Sequence, residues 1–193
     1  RSDFWMLIVT FIATLTLGIE QGIGIGVILS LAMVIYRTTK PHTAVLGQVS
    51  GTRIYRNIDR FHEIQEQKNI LIIRFDAQLY FANINYFKDF VWQQIGQRPN
   101  LKHFILDARA INGLDSSAVH TLEDMLEELR QRDIAFYMVN VKGPVRDKLK
   151  QGHLLQKIGE KYILNNVQEA VDIIEQRIQP STNYRQYALQ TNV

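Results

Sequence analysis

The hydrophobic pattern divides the chain into two unlike stretches. Across residues 4–36 apolar and small side chains dominate, and the only charged one is Glu20. A single helix over this stretch would be about 50 Å long, well beyond the roughly 30 Å hydrocarbon core of a bilayer. Gly18, Glu20, Gln21 and Gly22 interrupt it, so the pattern predicts two short helices, residues 4–17 and 23–36, folded as a hairpin. Each would be about 21 Å long, too short for a comfortable crossing. Half-spans of that kind need other protein to cover the turn's backbone and its carboxylate. Gly18, Gly22, Gly26 and Ser30 recur at every fourth position and offer a smooth face for close helix packing. Arg37 and Lys40 follow at once, and basic residues beside a membrane helix favour the cytoplasmic side.

Beyond Pro41 the pattern changes to alternating strand and helix signals, which predicts an α/β layered domain. Residues 43–49 and 54–56 read as short strands around Gly51. The run Ile-Leu-Ile-Ile-Arg-Phe at 70–75 has the length and near-continuous apolarity of a central strand covered on both faces. A helix over 85–95 collects Tyr86, Phe87, Phe90 and Val91 on one side, with Asn83 placed to cap it. A strand at 103–107 leads through Asn112-Gly113-Leu114-Asp115-Ser116-Ser117 into a helix with an apolar stripe of Val119, Leu122, Met125, Leu126 and Leu129. Further strands are expected at 134–139 and 162–164, with helices from Gly143-Pro144 to Gln151 and over 167–178. The predicted organisation is a membrane hairpin (1–40), a cytoplasmic domain (41–178) and a flexible, aperiodic tail (179–193).

Two other readings of the apolar start are weaker. A secretory signal would end in a small-residue cleavage site rather than a second apolar segment. A hairpin buried in a large soluble core accommodates apolar runs of this length. Gly22, Gly24 and Gly26 form GxGxG without a preceding strand, unlike the dinucleotide fingerprint.

Composition sharpens this picture. Hydrophobic residues are 46% and charged residues 21% of the 193, an ordinary globular average that describes neither stretch. The net charge of +3 is spread along the sequence, without the clustered basic face that nucleic-acid binding requires. The absence of cysteine excludes a disulfide scaffold, thiolate zinc sites and thiol catalysis. Arg1 in place of Met points to a piece of something longer.

Candidate chemistry is sparse. His42, His62, His103, His120 and His153 show no metal-ligand spacing, and there is no G-x-S-x-G elbow or enforced carboxylate pair. No catalytic residue, metal or cofactor is expected, and the sequence does not read as an enzyme. Asp115, Ser116 and Ser117 sit at a predicted helix start. Free N–H groups and the helix dipole there favour either a plain cap or a bound anion or phosphate at a regulatory site. Lys142, Arg146, Lys148 and Lys150 give the following helix a basic character, interrupted by Asp147, suited to solvent or to anionic lipid.

Taken in order, several motifs resemble the carboxyl-terminal end of SulP-family anion transporters. They are residues 16–27 (Thr-Leu-Gly-Ile-Glu-Gln-Gly-Ile-Gly-Ile-Gly-Val), Tyr36-Arg37, Arg74-Phe75-Asp76-Ala77, Leu79-Tyr80-Phe81-Ala82-Asn83, Leu106-Asp107, Asp115-Ser116-Ser117 and Val141-Lys142-Gly143-Pro144-Val145-Arg146. The resemblance runs to about residue 178. It implies a secondary transporter of sulfate or a related anion, coupled to Na+ or H+, whose last two membrane helices precede a cytoplasmic STAS domain with a mixed sheet and flanking helices, the fold of anti-sigma-factor antagonists. It further implies a homodimer, a multi-pass place in a bilayer such as a bacterial inner membrane, and an anion site on earlier segments. Gln78 and Ala118 depart from the family's usual proline and glycine. Ser117 matches the serine phosphorylated in kinase-regulated antagonists. Tyr80-Phe81 stand where those proteins usually carry an aspartate, which predicts little phosphorylation. The alternative is a stand-alone, membrane-anchored STAS regulatory module that binds a partner through the helix from Ser116, with Glu123, Glu127 and Arg130 on its polar side.

Overall fold

The computed structural model describes residues 2–61 and 64–176, which fall into two compact units, Arg1–Pro41 and His42–Val193. The expected tail at 179–193 and His62 lie outside the described residues.

The first unit is a pair of helices, α1 (Ser2–Leu17) and α2 (Ile19–Thr39). Gly18 alone breaks them, at a φ of 100° that L side chains rarely adopt. The interruption is therefore narrower than the sequence suggested: Glu20, Gln21 and Gly22 are already helical. In consequence α2 has 21 residues, about 31 Å, with a mean hydropathy of 1.8, and is long and apolar enough to cross a membrane. The expected 14-residue half-span is corrected on this point. A glycine can leave one turn without ending the next helix, because it removes side-chain hindrance but keeps its N–H.

Small residues set the separation of the two helices. A Cβ on Gly22 would lie 2.1 Å from Thr14 Oγ1 and 2.7 Å from Thr14 Cα, and one on Gly26 would lie 3.1 Å from Thr10 Cγ2. Two of the four small positions thus face α1, while Ser30 is exposed. Thr14 returns its hydroxyl to Thr10 O at 2.8 Å, which leaves no polar atom of that residue's side group unsatisfied at the contact. At the far end Arg37 donates to Asp3 at 2.5 Å and ties the start of α1 to the end of α2.

Among its described residues the second unit is a seven-stranded mixed sheet. It contains β1 (Thr43–Val49), β2 (Tyr55–Asn57), β3 (Ile64–Gln65), β4 (Ile70–Phe75), β5 (His103–Asp107), β6 (Ala135–Val139) and β7 (Ile163–Leu164). Their order is β2-β1-β4-β5-β6-β7, with β3 paired to the end of β1. The strands from β4 to β7 run parallel, and β1 lies antiparallel to β4 with Thr43 opposite Phe75 and Leu46 opposite Ile72. Between them come α3 (Ile84–Gly96), α4 (Ser116–Gln131), α5 (Gly143–Gln151) and α6 (Leu154–Ile158), and α7 (Val167–Ile174) follows β7. The helix expected to reach residue 178 ends at Ile174, with Glu175 as its C-cap.

Alternation along the strands explains the layers. Leu71, Ile73, Phe75, Phe104, Leu106, Phe136 and Met138 point to one face, where α3, α4, α5 and α6 bring Phe87, Val91, Leu122, Leu126, Val145 and Leu154. Ile70, Ile72, Ile105, Tyr137 and Val139 point to the other, under α7 with Val167, Ala170 and Val171. Burial on both faces is why 70–75 reads as an unbroken apolar run. Removing each of these large apolar groups from water stabilises the fold by roughly 1.5–3 kcal/mol. The short helix α6 gave no signal of its own, because five residues show no helical period.

Candidate functional site

The sequence-marked residues gather where β4 and β5 end and their following helices begin. Asp115 is the N-cap of α4. One of its oxygens accepts from Ala118 N at 2.8 Å, the ordinary capping bond. The other accepts from Phe81 N, also at 2.8 Å, in the loop after β4. The carboxylate is thereby shared between two segments 34 residues apart. A backbone bridge runs beside it: Leu79 N donates to Gly113 O at 3.2 Å, and Asp115 N donates to Leu79 O at 3.3 Å.

Asn83 does different work from the helix cap expected of it. It is fully buried and makes no side-chain bond to the first turn of α3. Its Oδ1 accepts from Tyr80 N at 3.0 Å and its Nδ2 donates to Gln78 O at 2.9 Å, so it binds the 78–83 loop to itself. A buried amide satisfies the backbone of a tight loop at two points, which outweighs a single cap. Held from both sides, Phe81 is 70% exposed, with its ring edge-on to Tyr80 at 5.4 Å.

Ser116 and Ser117 are both exposed, and Ser116 but not Ser117 lines an open groove of about 620 Å³ between α4 and α5. His120 and Glu123 continue its α4 side, and Lys148, Gln151 and Gly152 form the other. The basic helix contributes Lys148 to the groove, whereas Lys142 donates to Asn112 Oδ1 in the loop before α4.

The polar side of α4 is tied to α6. Lys157 Nζ pairs with Glu123 and lies 3.9 Å from Glu127, and Arg130 donates to Lys157 O. The ammonium holds the Glu123 carboxyl below its ordinary value, and Glu123 in turn raises Lys157. Glu123, Glu127 and Arg130 therefore meet around a lysine of the same protein.

Two further clusters involve residues that the sequence marked only as motif positions, without a role. Asp107 is completely buried at the end of β5; it accepts from Arg109 N at 3.2 Å and Asn140 Nδ2 at 2.9 Å, and Arg109 Nε lies 2.7 Å from its second oxygen. Asp76 receives Arg74 Nε at 2.6 Å and a second guanidinium N–H at 2.9 Å, with His42 Nδ1 2.8 Å away. Partial burial pushes the Asp76 carboxyl up, but the bonds from Arg74 and His42 outweigh it and leave it below its ordinary value. The spacing Arg-Phe-Asp places both side groups on one strand face, and that period of two is the signal by which the pair was findable.

No group of three or more metal-ligating residues occurs among the described residues. The site consists of a helix cap, two serines, a pinned aromatic and a polar groove, an arrangement suited to contact with another surface.

Comparison with known proteins places this geometry. The STAS domain family model matches residues 62–170. A protein named Probable sulfate transporter 4.2 from Arabidopsis thaliana is 35% identical over 183 residues, covering 90% of this chain and 27% of the relative. A probable sulfate transporter of Mycobacterium tuberculosis is 32% identical over 178 residues, 92% of this chain and 32% of the relative. The sequence thus spans about a third or less of the curated relatives it matches. Among solved structures, the murine Solute Carrier 26 family member A9 anion transporter in its inward-facing state superposes with a TM-score of 0.77 at 23% identity, over 92% of this chain and 29% of that one. At that identity the likeness speaks for the fold.

Proposed function

The chain belongs to the STAS domain family, and on that premise we propose that it is the carboxyl-terminal part of a SulP-type membrane anion transporter. The hairpin of α1 and α2 is the end of the membrane domain. The sheet that follows is a cytoplasmic module for regulation or dimer contact. The observation that carries this reading is the order of parts along the sequence: an apolar hairpin whose large residues are exposed, a basic junction at Arg37 and Lys40, then the STAS sheet. Apolar helices with bare surfaces require lipid or further helices around them, and the relatives that share both parts are named as sulfate transporters.

In this proposal sulfate or a related small anion is bound and moved, with Na+ or H+ as coupling ion, by membrane segments outside these 193 residues. The protein works as a homodimer in the plasma membrane. Asp115, Ser116 and Ser117, with Phe81, form the surface on which regulation acts. Uptake of labelled sulfate, bicarbonate and dicarboxylates by the full-length protein in sealed vesicles tests the reading. Accumulation of one anion above empty vesicles supports it. No uptake of any, together with a gene whose only hydrophobic segments are α1 and α2, defeats it in favour of a membrane-anchored regulatory module.

A further inference from the structure

The loop that carries α4 into place contains the dipeptide Asn112-Gly113, the single Asn-Gly in the sequence. We propose that Asn112 is a site of spontaneous deamidation and isomerisation, and that its product loosens the clasp holding Phe81 and the first turn of α4. In this reaction the Gly113 amide nitrogen, after losing its proton to water, bonds to Asn112 Cγ. The bond from Cγ to Nδ2 breaks, and that nitrogen leaves as ammonia. Water then opens the resulting five-membered imide at either of its two bonds from carbonyl carbon to nitrogen, giving aspartate or the backbone-shifted isoaspartate. One water is consumed, one ammonia is released, and no electrons are transferred.

Three features of the loop favour it. Asn112 is exposed and lies outside any helix or strand, so water reaches Cγ and the backbone is not locked in a ladder. Among the described residues neither the Asn112 nor the Gly113 backbone N–H has a protein acceptor, which leaves the attacking nitrogen free to deprotonate. The Lys142 ammonium donates to Asn112 Oδ1, the atom on which negative charge develops as the nitrogen adds, and stabilises it there. Asn83 and Asn140 lack this combination: Asn83 is buried and bonded at both ends of its amide, and Asn140 donates to Asp107.

The consequence follows from what Gly113 holds. Its carbonyl accepts from Leu79 N, and the returning bond from Asp115 N to Leu79 O sets the position from which the Asp115 carboxylate reaches Phe81 N. Isoaspartate inserts an extra carbon into the backbone one residue before that bridge. Either product also adds a negative charge opposite Lys142 and close in sequence to Asp115.

The test is to hold the whole protein in detergent micelles in mildly alkaline buffer and follow each asparagine by peptide mass mapping. Asn112 is expected to convert about tenfold faster than Asn69 or Asn140, and Gly113→Ala to slow it about tenfold by restricting the backbone swing that brings nitrogen onto Cγ. That variant folds: a Cβ at Gly113 meets nothing nearer than Gln78 Oε1 at 3.8 Å. Lys142→Met is expected to slow conversion several-fold, and unchanged or faster conversion overturns the role of the ammonium. Conversion of native Asn112 no faster than that of Asn69, while the urea-unfolded protein reacts there readily, overturns the proposal, since the fold then keeps the reacting atoms apart. In the converted fraction the Phe81 and Ala118 amides are expected to exchange hydrogen faster, and equal protection overturns the loosening.

Discussion

The hairpin and the sheet are both rich in large apolar residues but place them in opposite settings. Phe11 in α1 is 61% exposed, whereas Phe75 at the end of β4 is wholly buried between the helices and the sheet. The hairpin's two helices meet through what is missing, a Cβ on Gly22, while the sheet's layers meet through interdigitated Phe75, Phe87 and Phe104. The difference teaches that one unit hides its apolar residues in a core of its own, while the other leaves them bare, as suits the membrane place proposed for it. Substitutions that ignore this distinction are the most direct way to break it. Phe75→Ala is expected to cost about 3–5 kcal/mol in urea unfolding of the whole protein in micelles. Phe11→Ala is expected to shift the same transition by less than about 0.5 kcal/mol. Equal effects would erase the contrast.

The next largest effect lies inside the hairpin itself. Gly22→Val forces the helices apart, because the new side group begins at 2.1 Å from Thr14 Oγ1 and 2.7 Å from its backbone, where no rotamer can yield. A loss of about 1–3 kcal/mol in hairpin stability is expected, typical of overpacking. Gly24→Ala, with nothing within 4 Å, leaves it unchanged or slightly firmer. Cross-linking between cysteines introduced at Asp3 and Arg37, whose side groups meet at 2.5 Å, reads the separation. Efficient cross-linking in Gly22→Val would show that close packing is not what holds the pair.

A smaller effect is expected at the cap. Asp115→Ala removes one bond to Ala118 N and one to Phe81 N, about 1–2 kcal/mol in all. The distinctive readout is hydrogen exchange: both the α4 start and the 79–83 loop should lose protection together. If only the helix responds, the clasp between the two segments is not real.

How much of this was legible in the sequence depended on whether a local rule had a distant competitor. The strands at 70–75 and 103–107 and the helix from Gly143 were readable to the residue, because continuous apolarity, and a glycine-proline start, have one low-energy solution. Asn83 was readable as a cap in type but not in role, since the 78–83 loop offered two backbone partners that no helix rule anticipates. The break in the hairpin was placed correctly at Gly18 and drawn too wide, because Glu20 and Gln21 look like turn residues only when they are assumed to need water. At the site, Asp115 was visible as a cap through its spacing, whereas its second bond to Phe81 depends on the parallel β4–β5 pairing, which brings residues 34 apart into contact. The turn toward Lys157 of Glu123 and Arg130 was hidden in the same way, because α6 itself was too short to see.

The gentlest test of the contrast uses protons. His103 lies half-buried at the start of β5, its ring tilted against Tyr137 at 5.9 Å. Burial first, and the neighbouring Lys102 charge second, hold its imidazole below the ordinary value of 6.5. A base with a depressed folded pKa binds fewer protons when folded than when unfolded, so stability rises with pH through that interval. Its contribution is complete above 6.5 and shrinks as the pH falls from there toward the folded value. Asp76, also depressed, acts in a separate window: its contribution is present above the ordinary carboxylate value of 3.8 and is lost only below that. Between neutrality and mild acidity the urea midpoint of the sheet is therefore expected to fall, and His103→Gln to flatten that slope while Arg74→Gln leaves it alone and alters only the acid limb. The hairpin, with its helix contact made by glycine and threonine, should keep its helix separation over the same range, read by spin labels on the two introduced cysteines so that thiolate chemistry does not enter. A slope that survives His103→Gln would mean that another group senses the acid, and would remove the imidazole from this account.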